Sequence, residues 1–110
     1  MKKSKHQIIV DGLERLLNKA MSINKVDTNL LYPTQINNLG EIDVLAYQYN
    51  TIIYYEVKSN HHYKAFKKAK EQLMRWSRYY TGQTQYNTLG VYYTPQKGSI
   101  PVCKNGIRLI

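Results

Sequence analysis

Asp43, Glu56 and Lys58 are the residues whose types and spacing could do chemistry. Asp43 ends the run Gly40-Glu41-Ile42-Asp43, and Glu56-Val57-Lys58 follows after one intervening segment. Two carboxylates offer hard oxygen ligands for Mg²⁺ or Mn²⁺. An ammonium beside them could orient or help deprotonate a water and stabilise developing negative charge. Arginine would be a poor substitute at position 58, because a guanidinium keeps its proton near neutrality. Hydrolysis of a phosphodiester needs these parts: a positioned nucleophilic water, neutralised phosphoryl oxygens and help for the leaving oxygen.

The elements that must position them read as adjacent strands over 41–49 and 51–59, with Asn50 the tightest point between. Alternation places Glu56 and Lys58 on one face and Tyr55 and Val57 on the other. A hairpin register could bring Asp43 beside Glu56. An acid inside so apolar a strand is costly without a partner, which a cation would supply. The plainer alternative is ion pairing, of Lys58 with Asp43 or Glu56, and of Glu41 with surface bases.

Before the strands, Leu13, Leu16, Leu17, Ala20 and Met21 have the spacing of one buried helical face, with Glu14 at its edge. A short strand near 29–32 should give way to a loop before Gly40, given Tyr32-Pro33-Thr34-Gln35 and Asn37-Asn38. Ser59-Asn60 offers a cap for a long helix over 62–80. Its buried stripe is Phe66, Ala69, Leu73, Trp76 and Tyr80. Lys64, Lys67, Lys68, Lys70, Arg75 and Arg78 cover much of the rest, with Glu71 the only acid; phosphate contact and simple solubility both explain such a face. Strands are expected again over 88–94, 100–103 and 107–110, the last two joined through Lys104-Asn105-Gly106, a hairpin signal. The order predicts a compact mixed α/β layer structure.

At 110 residues one domain over 1–110 is the natural expectation. The 16 Lys and Arg against 7 Asp and Glu give a charge of +9, which favours a polyanionic partner. Cys103 is the only cysteine, which excludes an intrachain disulfide and a cysteine metal cluster and suits a small buried strand residue. No apolar run approaches a bilayer's thickness, and Met1-Lys2-Lys3-Ser4-Lys5-His6 lacks a following signal-peptide pattern, so an intracellular protein without membrane partners is expected. His61-His62 suits substrate contact or loop exposure better than zinc, since no third ligand is evident.

Asp43 followed by Glu56-Val57-Lys58 across two short strands resembles the core motif of the PD-(D/E)xK nuclease superfamily, with Ile42 where a proline is usual. The likeness spans roughly residues 8 to 94. It implies a single-domain restriction-endonuclease-like core, a mixed central β-sheet flanked by helices, using Mg²⁺ or Mn²⁺ and no organic cofactor. It further implies metal binding by Asp43, Glu56 and the Val57 carbonyl and an additional acid at Glu14; the positive helix face, and not the resemblance, makes Lys64, Lys67, Lys68, Arg75 and Arg78 the expected DNA contacts. Gln72 resembles the glutamine motif of RecB-like nucleases, although Trp76 stands where tyrosine is expected.

Element order is similar to archaeal and viral Holliday-junction resolvases, which implies a homodimer and a structure-selective deoxyribonuclease. The Gly-Glu-Ile-Asp and Glu-Val-Lys forms also look like YraN-like proteins, and the glutamine helix leans toward RecB-like cutting of single strands or ends. A nucleic-acid-binding module that no longer cleaves is the alternative from another class, as is an RNA-binding accessory protein, which leaves the carboxylates without a task.

Overall fold

The computed structural model describes residues 3–33, 39–82 and 84–110, with the backbone alone at 31–33, 39 and 40. The chain runs α1 (Lys5–Lys19), β1 (Lys25–Pro33), β2 (Leu39–Gln48), β3 (Thr51–Val57), α2 (Tyr63–Thr81), β4 (Asn87–Thr94), β5 (Gly98–Lys104) and β6 (Ile107–Arg108). Its six strands form one mixed sheet in chain order. Every neighbouring pair is antiparallel except β3 and β4. That one parallel pair requires a crossover, which α2 supplies. The fold is therefore mixed α/β in a single compact layer arrangement, as the sequence implies. The loop expected before Gly40 falls on residues 34–38, outside those described.

The helices cover opposite faces of the sheet. β3 shows the division by alternation: Ile53, Tyr55 and Val57 pack with Val10 and Leu13 of α1, whereas Ile52 and Tyr54 pack with Ala69, Leu73 and Trp76 of α2. Each side chain changes face at every residue, so the Glu56-Val57-Lys58 run sends Val57 toward α1 and its two charged neighbours the other way. Gly90 of β4 is a close-packed point beneath α2. A Cβ there would meet Cys103 Sγ at 2.7 Å and Leu73 Cβ at 3.3 Å, so only glycine lets that helix and β5 approach together.

The first helix differs from the sequence expectation. Ser4 Oγ accepts from the Gln7 N–H at 3.1 Å and starts α1 well before Gly12. The buried stripe then runs through Val10 and Leu13, with Leu17 partly buried, while Leu16 is 61% exposed, Ala20 is the C-cap and Met21 is fully exposed. An earlier start brings a turn of new residues onto the sheet and leaves the last predicted ones beyond the helix end. The cap of α2 also differs: His62, extended in backbone, accepts from the Ala65 N–H through Nδ1 at 3.3 Å, so Ser59-Asn60 lie upstream of the cap. Lys104-Asn105-Gly106 behaves as expected, with Asn105 at φ 52° and Gly106 at φ 81°, the left-handed pair of a tight hairpin.

Candidate functional site

The site forms where β2 and β3 part. Their ladder runs from Gln48↔Thr51 to Val44↔Tyr55 and stops, although one more step of the register would set Asp43 opposite Glu56. On its other side β2 pairs Thr28↔Val44 and Leu30↔Ile42 with β1, skipping Asn29, whose φ of 54° is left-handed. Asn tolerates that region better than most residues. Asp43 is thus paired in neither ladder, and its carboxylate reaches the β3 backbone in place of a strand bond.

Val57 is the complementary half. Lys58 N–H continues toward β4 by donating to the Tyr93 carbonyl at 2.9 Å, while the backbone groups of Val57 find other partners. The Val57 N–H donates to Asp43 Oδ2 at 2.8 Å. The Val57 carbonyl accepts from His6 Nε2–H at 3.0 Å, a tautomer fixed by the carbonyl being an acceptor only. His6 Nε2 also lies 3.4 Å from Asp43 Oδ2. A buried backbone pair needs such partners, and here a carboxylate and an imidazole replace the missing strand.

Glu56 completes the cluster with an altered charge balance. Burial raises its carboxyl from an ordinary 4.5 to about 8, the nearby Asp43 carboxylate pushes the same way, and Lys58 opposes both. Lys58 Nζ stands 3.6 Å from Glu56 Oε1 and its side chain is 35% exposed, so the ammonium reaches the site while remaining open to solvent. Two neighbouring carboxylates with one ammonium are short of positive charge when both ionise.

Among the described residues no group of three or more His, Cys, Asp or Glu side chains converges as a self-sufficient metal cage. Magnesium does not require one, because it keeps several waters and takes one or two protein carboxylates together with substrate oxygens. Asp43, Glu56 and the Val57 carbonyl are hard oxygen donors, and the raised Glu56 carboxyl marks a place where added positive charge would be favoured. The residues fit a divalent cation on that chemistry.

Glu14 and Gln72 lie on the two helices. Glu14 is half-buried on α1, more than two turns beyond His6, or about 12 Å along the axis; the helix presents His6 to Asp43. Gln72 is half-buried on α2 and accepts from Arg75 Nη1 at 3.4 Å. Lys64, Lys67, Lys68, Arg75 and Arg78 are exposed along α2, and Glu41 is exposed on β2. His61 Nδ1 lies 3.1 Å from the Tyr92 hydroxyl, whereas His62 caps the helix. Sequence reading missed His6 because it started the helix too late. The spacing of His6, Val10, Leu13 and Leu17 is the signal that could have placed it on the buried stripe.

No family model matches this sequence, and no curated protein matches it.

Proposed function

We propose that this protein is a metal-dependent deoxyribonuclease built on a restriction-endonuclease-like core. One observation carries the reading: Asp43, the Val57 backbone, Glu56 and Lys58 meet at the parting of β2 and β3, with Glu56 pushed up by burial and by Asp43. A structural ion pair would not need a second buried acid beside the first, since that arrangement raises the cost of charging either one. The +9 charge suits a polyanionic substrate.

Asp43, Glu56 and the Val57 carbonyl would hold Mg²⁺ or Mn²⁺, with His6 as the neighbouring nitrogen. The bound cation supplies neutralising charge for the phosphoryl oxygens and makes a nucleophile available at neutral pH. Lys58, partly exposed beside Glu56, orients the attacking water and meets charge developing on the phosphate. The Val57 N–H fixes the Asp43 carboxylate through Oδ2. His6, partly open to solvent, gives up its hydrogen bond to the Val57 carbonyl when that oxygen is needed.

A structure-selective endonuclease acting as a homodimer on four-way junctions is the form the motif order favours. Cleavage of labelled four-way junction, duplex and single-stranded DNA in Mg²⁺ or Mn²⁺, with Glu56→Ala alongside, tests both levels. Paired symmetric cuts confined to junctions support the resolvase form, and loss from single strands or ends supports the RecB-like form. DNA binding with no cation-dependent cutting, or cutting that survives Glu56→Ala, would overturn the nuclease reading.

A further inference from the structure

On the side facing α2, the β3 end opens into a solvent-open cavity of about 450 Å³ whose walls include Lys58, Ser59, Asn60, Lys64, Ala65 and Lys68. Among the described residues no carboxylate lines it. Lys64 and Lys68 are four residues apart on α2 and exposed, so their ammonium groups share one side of the helix and repel each other. Among the described residues the ion pairs involve Lys3, Lys25, Lys58 and His6, and neither Lys64 nor Lys68. The first turn of α2 carries no acid, and the partial positive charge of a helix start adds to the two lysines. Ala65, the small residue after Lys64, also lines the cavity.

Lys58 joins this cavity to the carboxylate cluster, because it lines the cavity and lies 3.6 Å from Glu56. A phosphate beside Lys58 therefore has a second, unopposed cationic seat next to it. Tyr63, the first residue of α2, is 77% exposed at the same end, and an exposed ring there suits a base from an unstacked strand better than it suits a free anion. We propose that the cavity is a phosphate subsite for a nucleic-acid strand, seating the phosphate adjacent to the one presented to Glu56 and Lys58. The adjacency rests on the nuclease reading; the capacity of the cavity to bind a strand phosphate does not.

The test is fluorescence anisotropy of the full chain with labelled single-stranded DNA in EDTA, across a salt series. Lys64→Gln with Lys68→Gln is compared with wild type, with a charge-keeping Lys64→Arg and Lys68→Arg pair, and with a control pair, Lys19→Gln and Lys104→Gln, at exposed positions away from the cavity. The glutamine pair at the cavity should weaken binding roughly tenfold and flatten the salt dependence by about 0.7 for each phosphate left without its lysine. The arginine pair should retain both. Equal losses at cavity and control positions would mean diffuse attraction and overturn the subsite, as would wild-type affinity and slope in the glutamine pair. Strands with 5′-phosphate and 5′-hydroxyl ends separate the sources: a loss limited to the phosphorylated strand assigns a terminal phosphate, and an equal loss assigns a backbone one. A cavity-specific loss without any cation-dependent cutting by wild type would remove the nuclease and keep the subsite. Cutting that depends on Glu56, with binding unaffected by Lys64 and Lys68, would remove the subsite alone.

Discussion

The two sides of the β3 end differ in kind. Toward β2, Asp43 is buried and tied to a backbone N–H, Glu56 is held protonated by its surroundings to higher pH, and the backbone of Val57 is satisfied by side chains. Toward α2, Lys64 and Lys68 are exposed around an open cavity and meet no acid among the described residues. The first side is a place of short, desolvated interactions, where one atom decides the outcome. The second is a field of screened charge, where effects are graded and depend on salt. Lys58 belongs to both, so a substitution there can separate its charge from its proton.

The largest expected effect is on the buried side. Asp43→Asn keeps the shape and an acceptor oxygen for the Val57 N–H, but it removes the charge that would hold a cation. Cleavage should fall below detection while anisotropy in EDTA stays within a few-fold of wild type. Retained cleavage by Asp43→Asn would dissolve the distinction between the two sides. Lys58→Arg comes next. It keeps a positive charge for the cavity but loses a group able to exchange a proton, so single-turnover cleavage should drop roughly 10²- to 10⁴-fold with DNA affinity unchanged. A parallel fall in affinity and rate would instead assign Lys58 to binding only.

Alternation made β3 legible before any coordinates: Glu56 and Lys58 share a face because side chains in a strand repeat every two residues, and the two apolar runs about Asn50 marked β2 as its partner. The long stripe Ala69, Leu73 and Trp76 was legible for the same reason at helical period, and Asn105-Gly106 because few residue pairs accept two positive φ values. The first helix was not. Its stripe through Leu16 and Met21 looked as apolar as the real one, and the deciding signal was a single serine, Ser4, hidden in a run of lysines. The parting of β2 from β3 at Asp43 was also illegible; it coincides with a left-handed Asn29 that is skipped in the pairing of a third strand. The pairing of Asp43 with the Val57 N–H joins residues on two strands and leaves no local mark in the sequence.

His6 sharpens the comparison at a smaller scale, because it lies on the buried side yet is partly open to solvent. Imidazole suits Mn²⁺ better than Mg²⁺. If His6 turns its lone pair to the cation site, His6→Ala should weaken Mn²⁺ binding roughly 10- to 100-fold by calorimetry, with a lesser loss for Mg²⁺. If it only closes the Val57 carbonyl, His6→Ala should lower the melting temperature without separating the two metals.

The smallest effect is one of stability. The carboxyl of Glu56 titrates near 8 in the folded chain against an ordinary 4.5, so between those values the folded protein holds a proton that the unfolded chain has released. Stability must then fall as pH rises through that window, and the loss is complete above it. Glu56→Gln cannot titrate and escapes this share of the decline. In EDTA, the melting temperature of Glu56→Gln minus that of wild type should grow from pH 4.5 to about 8 and then level. Saturating Mg²⁺ should shrink the difference by stabilising the ionised wild type, since a ligand that favours the folded state raises its stability by mass action. A difference that stays flat across the range would mean that Glu56 is as well solvated as any surface acid, and the contrast between a desolvated side and a screened one would fail at the residue that defines it.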